Sequence, residues 1–320
     1  MMRPKLLLMA IALVITQTGC MWRPLPWAGA VAIPDPFGMP YPRLPALSPD
    51  GKHVAILGSL EWDDNRGHIA IWDIENQQGW SVIDREKDSE FFFELDWDSS
   101  STQLLYDGAG GLVFHTPATG DATFVSVPES GSTLAIFGPG EGQYTRYILV
   151  PKNSDPNMVD RVSIFDLGEG GEDQLFPLDR GRPNAYQGMD WSPDGTRLLV
   201  SFVGDDSKSG SYDIFLYDQT TQEFGPLIAS SEDESQPHWS SDGQWFVYLV
   251  SDFGETGSAL VFSSADATCL IREPVDSLLM DVDWGPGNQL AVVYANQLYL
   301  VDIQQAFGFG LDDISNHCSS

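Results

Sequence analysis

The sequence predicts an all-β protein built from one repeated unit. A W/L-S-P/S-D-G pattern begins at Leu47, Trp191 and Trp239; the second copy lies 144 residues after the first, and the third 48 residues after the second. Apolar runs bounded by turn residues follow each copy, which is typical of short strands. A unit of this length with four such runs indicates a propeller blade.

Three weaker copies complete the series, beginning at Trp97, Phe137 and Trp284. The six units occupy residues 44–310. A single blade cannot bury both of its apolar faces, so neighbouring blades must stack around an axis. We therefore expect a six-bladed β-propeller with four-stranded antiparallel blades.

Each unit has the same internal order. The Pro, Asp and Gly residues of the pattern favour a tight turn between the first two strands. The third strand often ends in Asp, as in residues 69–73, 162–166, 214–218 and 298–302. The last unit lacks a fourth strand after Ile303, and we expect residues 28–33 to supply it from the amino end.

Residues 1–19 are predicted to be a targeting segment. Basic residues precede an apolar run over residues 6–15, which is shorter than the ~20 residues of a membrane-spanning helix. The Q-T-G-C sequence at residues 17–20 resembles the lipobox of bacterial lipoproteins, with Gln where an aliphatic residue is usual. The resemblance implies a lipid on Cys20 that anchors the protein to a membrane of the cell envelope. An ordinary secretory signal is the alternative, and both place the mature chain outside the cytoplasm.

Residues 20–43 are rich in proline and are interpreted as a stiff, extended tether. Its two tryptophans, Trp22 and Trp27, are expected near the membrane surface, where amphipathic rings are favoured. Residues 311–320 form a short carboxyl-terminal tail.

Cys269 and Cys318 are the cysteines other than Cys20. In an oxidising compartment they would form a disulfide that ties the tail to the body. Two independent thiols are the alternative, because pairing depends on a distance that sequence does not give.

The charge balance excludes one class of function. The chain has 16 Lys and Arg against 46 Asp and Glu, a formal net charge of −30. Such a chain repels the phosphates of nucleic acids, so a nucleic-acid-binding protein is excluded. Acidic segments at residues 61–64, 169–173 and 231–234 are interpreted as solvated loops.

One position of the repeat concentrates ionisable residues on the strand expected nearest the axis. The residue before the pattern is Ala46, Asp96, Ile136, Asp190, His238 or Asp283, and Glu94 and Asp281 lie two residues earlier. A ring of these side chains around a central channel would suit Ca²⁺, and His238 would admit a transition metal. The alternative is that they lie between blades and bind neighbouring backbone.

The W-S-P-D-G residues at 191–195, with their relatives at 47–51 and 239–243, resemble the TolB-type β-propeller repeat. That repeat also occurs in the propellers of prolyl-oligopeptidase-type peptidases. TolB has an α/β domain before its propeller and the peptidases have a G-x-S-x-G elbow, and this sequence shows neither. The resemblance implies a stand-alone propeller without a transferable activity.

Two functions follow as hypotheses. The first is a non-enzymatic, monomeric binding or scaffold module for an envelope protein or small ligand, requiring no cofactor unless Ca²⁺ binds. The second is a metal-assisted lyase or hydrolase that acts on a carbohydrate or lactone at the central channel.

Overall fold

Strands account for nearly all the regular structure in the described part of the chain. The computed structural model describes residues 25–34, 41–59, 67–84, 95–108, 111–126, 135–137, 147–149, 161–166, 171–177, 186–203, 211–251, 258–276 and 279–318. Two short helices near the carboxyl end are the other regular elements of these segments.

The strands are numbered here in chain order. They are β1 (Val31–Ala32), β2 (Tyr41–Leu47), β3 (His53–Ser59), β4 (Gly67–Asp73), β5 (Gln78–Asp84), β6 (Leu95–Trp97), β7 (Leu104–Gly108), β8 (Gly111–Thr116), β9 (Asp121–Ser126), β10 (Ala135–Phe137), β11 (Tyr147–Leu149), β12 (Arg161–Asp166), β13 (Gly171–Pro177), β14 (Tyr186–Trp191), β15 (Arg197–Phe202), β16 (Asp213–Asp218), β17 (Glu223–Ile228), β18 (Asp233–Trp239), β19 (Trp245–Ser251), β20 (Ala259–Ser264), β21 (Leu270–Pro274), β22 (Leu279–Trp284), β23 (Gln289–Tyr294) and β24 (Gln297–Asp302). An α-helix, α1 (Ile303–Phe307), and a 3₁₀ helix (Ile314–His317) follow them.

These strands form six four-stranded sheets. Blades I to V are β2–β5, β6–β9, β10–β13, β14–β17 and β18–β21, and blade VI is β22–β24 with β1 at its edge. Neighbouring strands pair antiparallel in every blade. The prediction of an all-β propeller with four-stranded antiparallel blades is confirmed.

The repeated pattern forms the turn between the first two strands of a blade. In blade I, Ser48 Oγ donates to Asp50 Oδ1 at 2.7 Å and accepts from the His53 N–H at 2.9 Å. Gly51, at a φ of 70° that favours glycine, donates its N–H to the Ser48 carbonyl. The same serine–aspartate bond recurs in two further blades, at Ser192 and Asp194, and at Ser240 and Asp242.

The hydrophobic core lies between the blades. Val54 and Trp72 of blade I share one buried cluster with Val293 and Leu300 of blade VI. Similar clusters join blades I and II, IV and V, and V and VI. Blades I, V and VI share a buried cluster with a neighbour on both faces, and central strands covered in this way are continuously apolar instead of alternating. An example is β19, which is buried from Trp245 to Val250.

Contacts between blades also run through their first strands. β14 contacts β18, β18 contacts β22, β22 contacts β2, β2 contacts β6, and β6 contacts β10. Among the described residues, these five contacts join the blades in the order IV, V, VI, I, II and III.

The amino end completes blade VI. Val31 and Ala32 pair with Leu300 and Tyr299 of β24, and the Ile33 N–H donates to the Leu298 carbonyl at 2.9 Å. The predicted pairing of this segment with the last unit is confirmed, over a shorter stretch than residues 28–33. The chain turns away after β24 because Asp302 caps α1, and Gly308 ends the helix with a φ of 81°.

The tether prediction is wrong for residues 25–34. Leu25 is 6% exposed and lies in one core cluster with Phe309. Trp27, which was expected near the membrane surface, packs edge-on against Phe307 of the protein itself, with ring centroids 4.9 Å apart. The first blade also begins earlier than residue 44, since β2 starts at Tyr41.

The carboxyl-terminal tail is attached to blade V. Cys269 and Cys318 form a disulfide with their Cα atoms 5.3 Å apart, and Ile314 of the 3₁₀ helix is buried. Within the described segments, no helix combines the length and apolar character needed to cross a bilayer.

Candidate functional site

The ionisable residues singled out from the repeat lie together on the first strands of their blades. Asp96 is on β6, Asp190 on β14, His238 on β18, and Asp281 and Asp283 on β22. Their charges act on one another, since Asp283, Asp190 and Asp281 all raise the pKa of His238. We refer to these five residues as the inner-strand cluster. Cys20, Trp22 and Glu94 lie outside the described residues.

Three carboxylates of the cluster bind the backbone of the next blade. In each case the acceptor is the residue before the repeat pattern, and the donor is the N–H of the first pattern residue in the following blade. The bonds run from Phe137 to Asp96 at 2.7 Å, from Trp239 to Asp190 at 2.6 Å and from Leu47 to Asp283 at 2.6 Å. The repeat thus carries a blade-to-blade hydrogen bond.

Tryptophan side chains add further bonds between blades, at junction IV–V beside the aspartate bond and at junction I–II where no aspartate precedes the pattern. The Trp239 indole N–H donates to the Asp190 carbonyl at 3.2 Å, and that of Trp97 donates to the Ala46 carbonyl at 2.9 Å. Ala46 and Ile136 occupy the cluster position in blades I and III and are buried apolar residues. The aspartate bond is therefore absent where these apolar residues replace it, while Trp97 still ties blade II to blade I.

β-Bulges position the cluster. The strand register shifts just before it in blades I, IV, V and VI. Leu44, Gly188 and Gln236 take positive φ angles of 44°, 116° and 52° there. A bulge changes the direction of the side chains that follow it. At Gly188 a side chain would be crowded, because a Cβ there would lie 3.1 Å from the Gln236 Cα. The strained Leu44 is held by its N–H, which donates to Asp281 Oδ2 at 2.7 Å.

His238 forms an ion pair with Asp283, with 3.2 Å between Nδ1 and Oδ1. Their side chains remain 24% and 15% exposed, so the pair is reached by water. Burial lowers the pKa of His238, but the hydrogen bond and charge of Asp283, with Asp190 and Asp281, outweigh it and raise the pKa to about 9. The imidazole therefore carries a positive charge at neutral pH.

Asp96, Asp190 and Asp281 have pKa values above the ordinary value of an aspartate. Burial raises the pKa of Asp96 to about 8, against the hydrogen bond from Phe137. Burial also raises the pKa values of Asp190 and Asp281 to about 7, opposed by the charge of His238 and by the backbone hydrogen bonds. Partly protonated acids next to an imidazolium can exchange protons near neutral pH.

The sequence left two alternatives for these side chains, a metal-binding ring or a place between blades where they bind backbone. The hydrogen bonds found at the cluster are of the second kind. Among the described residues, no group of three or more His, Cys, Asp or Glu side chains is placed to hold a metal ion. A calcium ion at the inner-strand cluster stays a prediction.

Two buried acids were missed by sequence reasoning. Residues 231–234 were predicted to be a solvated loop, which is wrong for Glu234, because this residue is 2% exposed and lies on β18. Asp213, the first residue of β16, is 5% exposed. Glu234 Oε2 and Asp213 Oδ1 are buried without a hydrogen-bond partner. The segment at residues 61–64 lies outside the described residues, and the loop prediction for residues 169–173 is wrong for residues 171–173, which lie on β13.

Comparison with known proteins identifies the architecture. No family model and no curated protein matches the chain. The TolB structure from Acinetobacter baumannii matches with a TM-score of 0.60 and 18% identity over 77% of this chain, which spans 57% of that protein's length. A putative TolB from Agrobacterium tumefaciens matches with a TM-score of 0.54 and 18% identity, covering 70% of this chain and 76% of that one.

A third structure of the same architecture is an enzyme. An oligogalacturonate lyase in complex with manganese matches with a TM-score of 0.54 and 15% identity, covering 87% of this chain and 79% of that one. At these identities the likeness shows the fold alone. The chain is thus a β-propeller similar in structure to TolB and to this lyase.

Proposed function

We propose that the protein is an extracytoplasmic β-propeller, anchored by a lipid on Cys20, that binds an envelope protein or small ligand and performs no catalysis. The observation that carries the proposal is the set of hydrogen bonds that Asp96, Asp190 and Asp283 accept from the backbone of the next blade. Groups that would serve chemistry are engaged in holding the blades together. A rigid scaffold of this kind leaves its turns and loops free to bind.

The proposal includes a closed, monomeric ring of six blades. Five junctions already join the blades from IV through VI and I to III. Contact between β10 and β14 would be the sixth and would bury the remaining faces of blades III and IV. Closure removes the open sheet faces that would otherwise promote association with a second copy.

The extracytoplasmic location is supported by two features. The Cys269–Cys318 disulfide suits an oxidising compartment. The lipobox-like residues 17–20 point the same way. Replacing Cys20 with Ser tests the anchor: we expect the variant to move from the membrane to the soluble fraction, and an unchanged distribution would contradict the anchor alone.

Binding is tested by site-specific photo-crosslinking in intact cells. A photoreactive residue would replace Asn76 or Thr220, which lie in exposed turns of blades I and IV. The probe is placed in the full-length protein, which is otherwise wild-type. We expect both positions to give a discrete, light-dependent adduct with the same partner. The same probe at buried Val292 is the control. If exposed positions around the ring give no adduct, protein binding is overturned and a small ligand remains.

The second candidate is a metal-assisted lyase acting on a carbohydrate. Its support is the similarity to the manganese-bound oligogalacturonate lyase, together with one histidine and four acids gathered at the inner strands. Incubation of the purified protein with Mn²⁺ and uronate oligomers would test it. Unsaturated products that are formed by the wild type but not by His238→Ala would favour the enzyme and exclude the scaffold role as stated.

A further inference from the structure

Asp213 and Glu234 lie at the junction of blades IV and V. Asp213 begins β16 of blade IV, and Glu234 is the second residue of β18 of blade V. The Glu234 N–H donates to the Tyr212 carbonyl at 2.9 Å, so the two chain segments are in direct contact. Both carboxyls accept a hydrogen bond from Ser230, which places them close together. We refer to them as the carboxylate pair.

Each member of the pair has one bound and one unbound oxygen. Ser230 is the donor in both cases. Its hydroxyl donates to Glu234 Oε1, and its N–H donates to the Asp213 carboxyl. The opposite oxygens, Asp213 Oδ1 and Glu234 Oε2, are buried and have no partner. A buried carboxylate oxygen without a partner costs free energy unless a proton or a cation satisfies it.

Other charges around the pair do not supply that cation. Asp233 and Glu232 are further acids, and Tyr248 is a phenol whose pKa is raised by burial and by Glu234. Arg272 forms a two-bond ion pair with Glu232, at 2.7 and 2.8 Å. Burial, more than the neighbouring acids, raises the pKa of Glu234 to about 7.

We propose that Asp213 and Glu234 bind a calcium-class divalent cation between blades IV and V. Two carboxylates are hard oxygen ligands of the type that Ca²⁺ prefers, and carbonyl, hydroxyl and water oxygens complete its shell of six to eight. Among the described residues, no histidine or cysteine acts on the pKa of either carboxyl, and imidazole and thiolate are the ligands that favour transition metals. The ion would neutralise both buried charges and join the two blades.

The test uses the purified mature protein, stripped with a chelator and titrated with calcium chloride at pH 7.5. Ca²⁺ at ~100-fold above its Kd should raise the Tm by about 5 °C. Glu234→Gln and Asp213→Asn keep the side-chain shape and should each abolish most of the rise. Glu223→Gln, the same change at an exposed residue of blade IV, is the matched control and should respond as the wild type does.

Isothermal titration should find one calcium site in the wild type and in the control. Sodium chloride at equal ionic strength separates binding from screening. The proposal is overturned if calcium leaves the wild-type Tm unchanged, or if all four proteins respond equally. It is also overturned if the rise survives in both pair variants but disappears in Asp190→Asn, since the ion would then lie at the inner-strand cluster.

Discussion

The inner-strand cluster and the carboxylate pair both place acids at junctions between blades, but the oxygens of these acids have different partners. Asp190 and Asp283 accept backbone N–H bonds from the next blade at 2.6 Å. Asp213 and Glu234 each keep one oxygen without any partner. Burial of an acid is therefore not enough to identify a binding site; the partner of each oxygen decides between a structural bond and a ligand.

The first prediction removes one structural bond from the cluster. Asp190→Ala leaves the Trp239 N–H without its acceptor, and an unsatisfied buried donor costs about 1–3 kcal/mol. We expect the free energy of unfolding, measured with urea, to fall by that amount. Asp190→Asn retains an acceptor oxygen and should lose less. Equal stabilities of the wild type and the alanine variant would show that the bond contributes nothing.

The second prediction concerns pH and the cluster as a whole. The folded pKa of His238 is about 9, above its ordinary 6.5, so its contribution is complete below pH 6.5 and is lost as the pH rises through 9. Asp96 and Asp190 also have raised folded pKa values of about 8 and 7. The folded state therefore binds more protons than the unfolded state between their ordinary 3.8 and these values, and stability falls with pH there too.

Thermal unfolding between pH 5 and pH 9 measures this dependence. We expect the Tm to decrease as the pH rises, and the decrease above pH 6.5 to be smaller in His238→Asn. A Tm that rises across this range would contradict the assigned charges of the cluster.

The third prediction tests an exposed pair beside the carboxylate pair. Arg272 and Glu232 are 38% and 22% exposed at their side chains, and an ion pair so placed contributes about 0.5 kcal/mol or less. Arg272→Ala should lose this amount in low salt and nothing in high salt, as measured by urea unfolding. A larger loss, insensitive to salt, would mean that Arg272 also neutralises Glu234.

The smallest effect is expected at the carboxylate pair without calcium. Glu234→Gln removes a buried charge whose Oε2 has no partner, so stability in chelator-treated buffer should stay within about 0.5 kcal/mol of the wild type. Asp190→Ala is the contrasting variant in the same buffer. If Glu234→Gln were the more damaging of the two, the distinction between the two groups of acids would be lost.

The repeat made the fold predictable from sequence. The turn pattern fixes the register of each hairpin, and the residue before it is therefore on the first strand of its blade, as found for Asp96, Asp190, His238 and Asp283. Even the missing fourth strand of the last unit indicated that the amino end would pair with β24.

The partners of those side chains were beyond the sequence. Trp239 binds Asp190 across 49 residues, and that bond depends on how whole blades pack. The bulge that gives Gln236 a φ of 52° leaves no pattern in residue type. Glu234 lies in an acidic segment typical of solvated loops, yet it pairs with Val250 in the sheet and is covered by blade IV.

Anomalous diffraction from crystals grown with Ca²⁺ compares the two groups of acids in one measurement. We expect a calcium peak between Asp213 and Glu234, with Asp190 and Asp283 still bound to the backbone of the next blade. A peak among Asp190, His238 and Asp283, with none at the carboxylate pair, would contradict it and would favour a metal-dependent enzyme over a scaffold.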